Sequence, residues 1–183
     1  PVKCRRAGEW DETFLRIFRA NCRTPEENIG DLQAMFAAHK VGQDRVSEVI
    51  EQHGLTTFLD AQADAIDYAA RKARAVFRQI PDGVYEFWDY LDDDVVSPVP
   101  VRIRLKMTVE DGKVDLDFGG TDPQVMAAFN VPTGGHRHAW LTLALLKFVY
   151  TNDPTVPLNH GVFHSVTADA PQGSIVNPEY PAA

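Results

Sequence analysis

Residues 101–118 read VRIRLKMTVEDGKVDLDF, and this stretch decides how the C-terminal part of the chain folds. Every odd position from Val101 to Val109 is apolar, whereas the even positions are two arginines, a lysine and a threonine. Because successive side chains of a strand point to opposite faces, this alternation is typical of a strand with one buried face. We therefore predict a strand whose odd side chains contribute to a core.

The turn that follows fixes how this strand pairs with the next one. Asp111-Gly112 is a favoured two-residue hairpin turn. Counting outward from it pairs Lys106 with Asp117 on the outer face and Leu105 with Phe118 on the inner face. A slip of one residue would move every buried side chain to the opposite face, so the register is strongly specified.

Further elements complete this part of the chain. Tyr85–Leu91 is predicted to form a third antiparallel strand, and residues 136–150 a helix that is apolar nearly all round. Such a helix is normally buried on most sides, or else it exposes a face that further chain covers. The tail from Asp153 holds five of the 12 prolines and predicts loops around one short strand near Gly161–Val166. We predict an antiparallel sheet lobe over residues 81–183, with one central helix and a proline-rich loop tail.

The first 80 residues have the periodicity of helices. Apolar residues recur at helical spacing in three stretches, which begin near Trp10, Thr24 and Thr56. We expect Gly42 to break or kink the second helix, because glycine costs about 1 kcal/mol relative to alanine inside a helix. These patterns predict a helical lobe over residues 1–80 and an α+β fold for the whole chain.

Composition restricts the class of protein. With 183 residues and 44% hydrophobic content, the chain is long enough for one globular domain or two small lobes. Residues 81–183 carry 6 basic and 14 acidic side chains, whereas residues 1–80 carry 12 of each, so nucleic acid is not expected as a partner. The longest apolar run, Ala139–Tyr150, is too short to span a bilayer, so no membrane association is expected. Two cysteines, Cys4 and Cys22, make neither a disulfide framework nor a zinc site and predict reduced thiols in the cytoplasm.

The junction after the hairpin is the first candidate site. Residues 117–124 read DFGGTDPQ, and an asparagine follows at position 130. Loops at strand ends present polar groups to ligands, so we expect a substrate-binding or interface role for four residues: Asp117, Thr121, Gln124 and Asn130. Two alternatives stay open: Asp117 pairs with Lys106 across the hairpin, or these side chains only stabilise the turn.

A second candidate is an anion site where the helix near residue 136 begins. Glycines at a helix start expose backbone N–H groups, and the helix dipole favours negative charge there. Gly134, Gly135 and His136 are therefore candidates for holding carboxylate, phosphate or bicarbonate. Alternatively, the glycines only turn the chain and the histidines are solvated. His136 and His138 diverge in a helix, so they make a poor metal pair there.

The remaining histidines do not predict a metal site. His39 and His53 continue apolar helical stripes, so we expect them in the core or at its boundary. One route to a metal site would bring His160 and His164 together with a carboxylate such as Asp169. We predict that no residue of this chain binds a divalent metal tightly.

Four stretches occur in the order found in one protein family. They are residues 28–34 (NIGDLQA), residues 80–87 (IPDGVYEF) with residues 91–94 (LDDD), residues 117–124 with Asn130-Val131-Pro132, and residues 156–161 (VPLNHG) with residues 171–178 (PQGSIVNP). Together they resemble the hydantoinase B, 5-oxoprolinase and acetone carboxylase alpha-subunit family. Members of that family are several times longer, so the resemblance implies an internal segment of a large subunit. A chain that starts at Pro1 without a methionine fits that interpretation.

The resemblance implies an activity that the residue patterns do not themselves show. It implies a subunit that works with a hydantoinase-A-type nucleotide-binding partner in a hetero-oligomer. That complex is expected to open hydantoin or 5-oxoproline rings, or to carboxylate ketones, with ATP phosphorylating a carbonyl oxygen and with a divalent metal. The family's metal ligands lie in a segment that precedes this one, so no catalytic or metal-binding residue is carried over and the chain alone is expected to be inactive. The alternative is a non-catalytic module that stabilises the subunit and docks its partners.

Overall fold

The computed structural model of the protein describes residues 2–182. Its elements in chain order are the short strands β1 (Arg5–Arg6) and β2 (Glu9–Trp10), the helices α1 (Glu12–Asn21), α2 (Pro25–His53) and α3 (Leu55–Phe77), the strands β3 (Gly83–Leu91), β4 (Val101–Glu110) and β5 (Lys113–Asp117), the helix α4 (Ala139–Asn152), a 3-10 helical turn (His160–Phe163) and the strand β6 (Val166–Asp169). Helices precede a sheet that carries one further helix, so the α+β fold class is confirmed. Within the described residues, no helix is both long and apolar enough to cross a bilayer.

The chain divides into two compact units, one ending at Asp60 and the other starting at Ala61. This division falls within α3, where the helical pattern of the sequence continues without interruption. The predicted lobe boundary at residue 80 follows the change from helix to strand instead. It stays a prediction about domain organisation.

The second unit is built on a four-stranded sheet with the strand order β3-β4-β5-β6. β3, β4 and β5 are antiparallel neighbours, and Lys106 pairs with Asp117 as the alternation predicts. The β4–β5 ladder ends at that pair, and beyond it Phe118 belongs to the hydrophobic core and Leu105 packs against the same core. The predicted register of the hairpin is therefore confirmed.

The hairpin turn is held against α3. Asp111 and Gly112 both have positive φ, 47° and 71°, which a two-residue turn of this kind requires. Arg78 Nε donates to Asp111 Oδ1 at 2.8 Å, and Arg74 Nη2 donates to Asp111 Oδ2 at 2.7 Å. The Arg78 hydrogen bond and the charges of both arginines lower the pKa of the Asp111 carboxyl group. The turn thus fixes the position of the hairpin on the helix.

The fourth strand corrects the predicted antiparallel sheet. β6 runs parallel to β5, from the pair Val114–Val166 to the pair Asp117–Asp169, so the sheet is mixed. The predicted strand near residues 161–166 is also displaced: the 3-10 turn occupies its first part and the strand begins at Val166. A parallel partner needs a long crossover connection, here one that contains α4, and local alternation cannot reveal such a non-local pairing.

The core of the second unit is formed by the inner face of the sheet, the end of α3, one side of α4 and the C-terminal loops. Its largest fully buried side chains are Phe77, Val109, Val114, Leu116, Thr142, Val149, Val162, Val166 and Ile175. Burial of each large aliphatic or aromatic side chain contributes about 1.5–3 kcal/mol relative to leaving it exposed. This core holds the sheet end from which the candidate loops project.

The helical unit has a small aromatic core. Trp10 stacks on Phe14 and meets Phe36 edge-on, with ring centroids 5.5 Å apart in the second pair. Leu15 and Ile29 are also buried. Phe18 packs against Phe14 with ring centroids 5.4 Å apart, whereas Ile17 of the same helix is exposed.

Two predictions about α2 are wrong. The helix continues through Gly42 without a break, because a cost of about 1 kcal/mol is small within a helix of 29 residues. His39 and His53 are exposed and do not lie in a core or at its boundary. Their stripe is apolar in sequence, but Val46 and Val49 on the same helix are exposed as well.

The fourth helix is buried on one side only. It begins at Ala139, after the N-cap residue His138, so the predicted start at His136 is wrong. Thr142, Leu145 and Val149 are buried, whereas Trp140 is 71% exposed. Of the two possibilities raised by its apolar sequence, the one with an exposed face describes this helix.

Candidate functional site

The candidate residues lie in loops that meet at one end of the sheet. We call residues 91–100, 117–132 and 171–179 the loop cluster. Backbone hydrogen bonds join the last two of these loops, from Gln124 N–H to the Gly173 carbonyl at 2.8 Å and from Val131 N–H to the Ile175 carbonyl at 2.7 Å. Three of the four sequence stretches that carry the family resemblance contribute to this cluster.

Asp117 shapes the turn that opens the cluster. Its Oδ1 accepts the N–H of Gly119 at 2.7 Å. Lys106 is its cross-strand partner, but among the described residues no ion pair joins the two side chains. Of the alternatives left open by the sequence, positioning of the Gly119-Gly120-Thr121 turn agrees with these contacts.

Thr121 and Asp122 continue the hydrogen bonding of β4 beyond the end of β5. Thr121 Oγ1 accepts the Arg104 N–H at 3.1 Å and donates to the Arg104 carbonyl at 3.0 Å. Asp122 accepts the Arg102 N–H at 2.8 Å through its carboxylate and donates its own N–H to the Arg102 carbonyl at 2.9 Å. The two side chains and the Asp122 N–H thus bind the backbone groups of β4 that β5 no longer reaches.

Two arginines of β4 hold the glycine turn, and sequence reasoning missed this role. Arg104 donates to the Gly119 carbonyl at 2.6 Å and to Glu86 at 3.0 Å, and Arg102 donates to the Gly120 carbonyl at 3.0 Å. The hairpin register contains the signal: continued by one more outer-face pair, it sets Arg104 opposite Gly119. The alternation alone marked both arginines only as outer-face residues.

Gln124 and Asn130 close loops. Gln124 Oε1 accepts the Glu179 N–H at 2.6 Å and its Nε2 donates to the Glu179 carbonyl at 3.4 Å. Asn130 is buried; it accepts the Val125 N–H at 2.8 Å and donates to the Val125 carbonyl at 2.9 Å. Each side-chain amide therefore binds the backbone N–H and the backbone carbonyl of one residue. Gln124 in this way fixes residues 117–132 to residues 171–179.

The glycines of the proposed anion site are engaged in a turn. Gly134 and Gly135 have φ of 70° and 77°, and the Gly135 N–H binds Thr133 Oγ1 at 3.2 Å. Gly135 is also enclosed, since a Cβ there would lie 2.7 Å from Asn177 Nδ2. His136 lies three residues before α4, and His138 accepts the N–H groups of residues 140–142 in the first turn of that helix. The anion site stays a prediction, and of its backbone donors the Gly135 N–H is engaged by Thr133.

The last two histidines approach each other without forming a metal centre. His160 and His164 lie edge to face with ring centroids 5.7 Å apart. Arg137 Nη2, which can only donate, lies 2.9 Å from His160 Nε2. Among the described residues, no group of three or more histidine, cysteine, aspartate and glutamate side chains could hold a metal ion.

Shallow cavities follow the loop cluster. One of about 300 Å³ is lined by residues that include Asp94, Asp122 and Gln124, and one of about 570 Å³ is lined by Ala128–Pro132, His138 and Trp140. Asp94 is buried, and its carboxylate accepts the N–H groups of Val96 and Ser97 in its own turn. Rigid polar turns and apolar walls can hold a surface of another chain or a substrate, but they supply no nucleophile and base in contact.

Comparisons with known proteins identify relatives over the whole chain. Residues 1–183 match the family model described as Hydantoinase B/oxoprolinase. The chain is 32% identical over 180 residues to the putative D-/L-hydantoinase B-subunit of Pseudomonas sp. (strain NS671), an alignment that covers 94% of the chain and 30% of that relative. The chain thus spans about 30% of the length of this relative and of a second curated relative.

Two solved structures share the fold. The ATP-dependent caprolactamase from Pseudomonas jessenii superposes with a TM-score of 0.82 at 24% identity, over 100% of this chain and 31% of that chain. The nucleotide-free structure of acetone carboxylase superposes with a TM-score of 0.80 at 16% identity, over 97% of this chain and 25% of that chain. At these identities the likeness shows the fold alone.

Proposed function

Since this chain belongs to the hydantoinase B/oxoprolinase family, we propose that it is a segment of the hydantoinase-B-type subunit of an ATP-dependent enzyme complex. The complex hydrolyses a cyclic amide, such as hydantoin or 5-oxoproline, or carboxylates a ketone. The observation that carries the proposal is the match of the family model to all 183 residues. Coverage of only 30% of the hydantoinase relative supports the part that concerns a longer subunit.

Within that subunit, the residues of this chain serve as a frame. Thr121 binds the backbone of β4, Asn130 binds that of its own loop, and Gln124 binds that of Glu179, so their side chains fix loop shape. The donor set of residues 2–182 does not fit a divalent metal, because no three potential ligands converge. We therefore assign no step of the reaction to this chain, and the proposal places the sites for ATP and metal in other parts of the complex.

The proposed partner is a hydantoinase-A-type nucleotide-binding subunit, in a hetero-oligomer. The relatives support this, since one carries the name of a hydantoinase B-subunit and another, from Pseudomonas jessenii, is named the beta subunit of caprolactamase.

The free thiols of Cys4 and Cys22 support a cytoplasmic location, where thiols stay reduced.

The test uses the longer subunit that contains this sequence, purified together with its nucleotide-binding partner. ATP hydrolysis would be measured with hydantoin, 5-oxoproline, or acetone plus bicarbonate. We expect ATP turnover that depends on one of these substrates and on both subunits. ATP turnover that is unaffected by every substrate would overturn the proposed function.

A second candidate function is a non-catalytic module that stabilises the subunit and docks its partners. The observation that favours it is that each polar candidate in the loop cluster is engaged in loop-closing hydrogen bonds. Calorimetric titration of the 183-residue chain with ATP, bicarbonate and Mg²⁺ separates the two functions. A module binds none of them, whereas binding of bicarbonate or nucleotide would give the segment a direct part in the reaction.

A further inference from the structure

β3 is an edge strand whose side chains are exposed on both faces. It pairs with β4 over all nine residues, from Gly83–Val109 to Leu91–Val101, without a bulge. Its other edge has no partner strand among the described residues. Every residue of the strand is exposed, including Phe87 at 68% and Trp88 at 54%.

One face of β3 continues the core face of β4. Three apolar residues of β3 are paired with three residues of β4 that belong to the core or pack against it: Tyr85 with Met107, Phe87 with Leu105, and Leu91 with Val101. On the opposite face, Val84, Trp88 and Tyr90 are exposed as well. The apolar layer of the sheet therefore extends one strand beyond the elements that cover it.

The sequence of β3 is that of an interior strand. Natural edge strands are protected by lysines, prolines, bulges or short length. GVYEFWDYL has nine residues and no lysine, proline or bulge. Of its two charged residues, Glu86 is engaged with Arg104, and Asp89, paired with Ile103, is the one charge on the core face. Apolar side chains on both faces are typical of strands that are buried on both sides.

We propose that β3 is an interior strand in the complete subunit, where a strand from the remainder of the same polypeptide pairs with its free edge. This inference rests on the proposed function, which makes the chain a segment of a longer subunit. The unpaired N–H and C=O groups of an edge are satisfied by a strand, which makes the occupant a β-strand. The caprolactamase chain contains the same fold within 31% of its length, so a chain of that size has ample polypeptide to supply it.

A second copy of the chain fits the surface less well. Pairing of two β3 strands across a two-fold axis would satisfy the backbone groups of the edge. It would leave Phe87 and Trp88 uncovered on the two faces of the sheet, since only edges would meet. The remainder of a longer subunit can supply both a strand and the layers that cover it.

Amide hydrogen exchange of residues 83–91 tests the inference, in the 183-residue chain and in the longer subunit without its partner. In an antiparallel pair only alternate N–H groups point to the partner strand, so about half of the β3 amides should exchange rapidly in the short chain. In the longer subunit we expect those amides to slow by roughly three orders of magnitude or more. Equal exchange in both proteins would overturn the inference.

A matched pair of variants gives an independent readout. Phe87→Lys should leave the Tm of the 183-residue chain unchanged, because the side chain is exposed there, and should lower the Tm of the longer subunit by several degrees. Phe87→Leu keeps an apolar side chain and should change neither Tm to that extent. An unchanged Tm of the longer subunit with Phe87→Lys would contradict burial of β3.

Three further outcomes identify a different occupant or a different failure. Protection of β3 that rises with the concentration of the short chain, together with a dimer in sedimentation, would assign the edge to a second copy and overturn the inference. Protection that appears only when the nucleotide-binding subunit is added would assign it to that subunit and overturn it equally. An inactive complex whose β3 is protected would overturn the proposed function and support the inference.

Discussion

Gly112 lies where the hairpin turn meets α3. Its φ is 71°, and a Cβ at this position would lie 2.6 Å from the carbonyl oxygen of Arg74. We predict that Gly112→Ala destabilises the protein by at least about 2 kcal/mol, because backbone strain and steric overlap each cost about 1–3 kcal/mol. Gly134→Ala is the control, since Gly134 has a φ of 70° with nothing within 4 Å of a Cβ. Urea unfolding should show the smaller loss for Gly134→Ala, and equal losses would mean that contact with α3 is unimportant.

Asp153 makes a pH-dependent contribution to stability. Thr155 donates its hydroxyl and its N–H to this carboxylate, and Lys72 Nζ lies 2.9 Å away. These contacts lower the pKa of Asp153 to about 2, and the hydrogen bond from the Thr155 hydroxyl has the largest effect. The pKa in an unfolded chain is about 3.9, so the contribution is complete above that pH and is lost as the pH falls towards about 2. We predict that Asp153→Asn weakens the acid dependence of the unfolding free energy in this window, and a wild-type slope in the variant would contradict the assignment.

The polar residues of the loop cluster show what a sequence can reveal about single positions. The pattern after the hairpin predicts a substrate or interface role for Asp117, Thr121, Gln124 and Asn130, and that role stays a prediction. In the structure the four side chains make hydrogen bonds within the chain. Their partners are backbone groups, some of them distant in sequence, such as Glu179 for Gln124. Residue type predicts the capacity for a hydrogen bond, whereas the partner depends on how the loops pack, which no local pattern contains.

At the scale of elements, α4 shows that an apolar sequence does not by itself decide which side chains are buried. The helix is apolar nearly all round in sequence, yet Trp140 is exposed and Leu145 on the same helix is buried. We predict that Trp140→Ala changes the unfolding free energy by no more than about 0.5 kcal/mol, and that Leu145→Ala costs about 2–5 kcal/mol. Denaturant midpoints of the two variants check this. A large loss for Trp140→Ala would show that the indole packs against another part of the protein.

The hairpin was predictable because its information is local. Alternation and the Asp111-Gly112 turn specify both strands and their register within 18 residues, and the observed pairing agrees. β6 was not predictable as a parallel strand, because it returns to β5 only after the crossover that contains α4. The predicted break at Gly42 was wrong because the low helix propensity of glycine is a property of one position. Whether α2 continues depends on the whole helix.

At the scale of the whole molecule, the two units differ in how much they bury. The fold class follows from the order of periodic segments, but the division near Asp60 does not, since periodicity continues across it. The second unit has an extensive core, whereas every residue of α2 from 37 to 49 is exposed. A segment without buried side chains is stabilised mainly by its own helical hydrogen bonds, so we expect it to open locally before the sheet unfolds.

Gly42→Ala tests this hierarchy, because it changes helix propensity at a position with nothing within 4 Å of a Cβ. Alanine in place of glycine favours a helix by about 1 kcal/mol, which should slow local opening about fivefold. We predict that the amides of residues 37–49 exchange about fivefold more slowly in the variant and that those of β4 keep their wild-type rates. Hydrogen exchange followed by mass spectrometry measures both segments in one sample. If the β4 amides slowed by the same factor, the two segments would open in one cooperative event, and the exposed part of α2 would owe its stability to the rest of the protein.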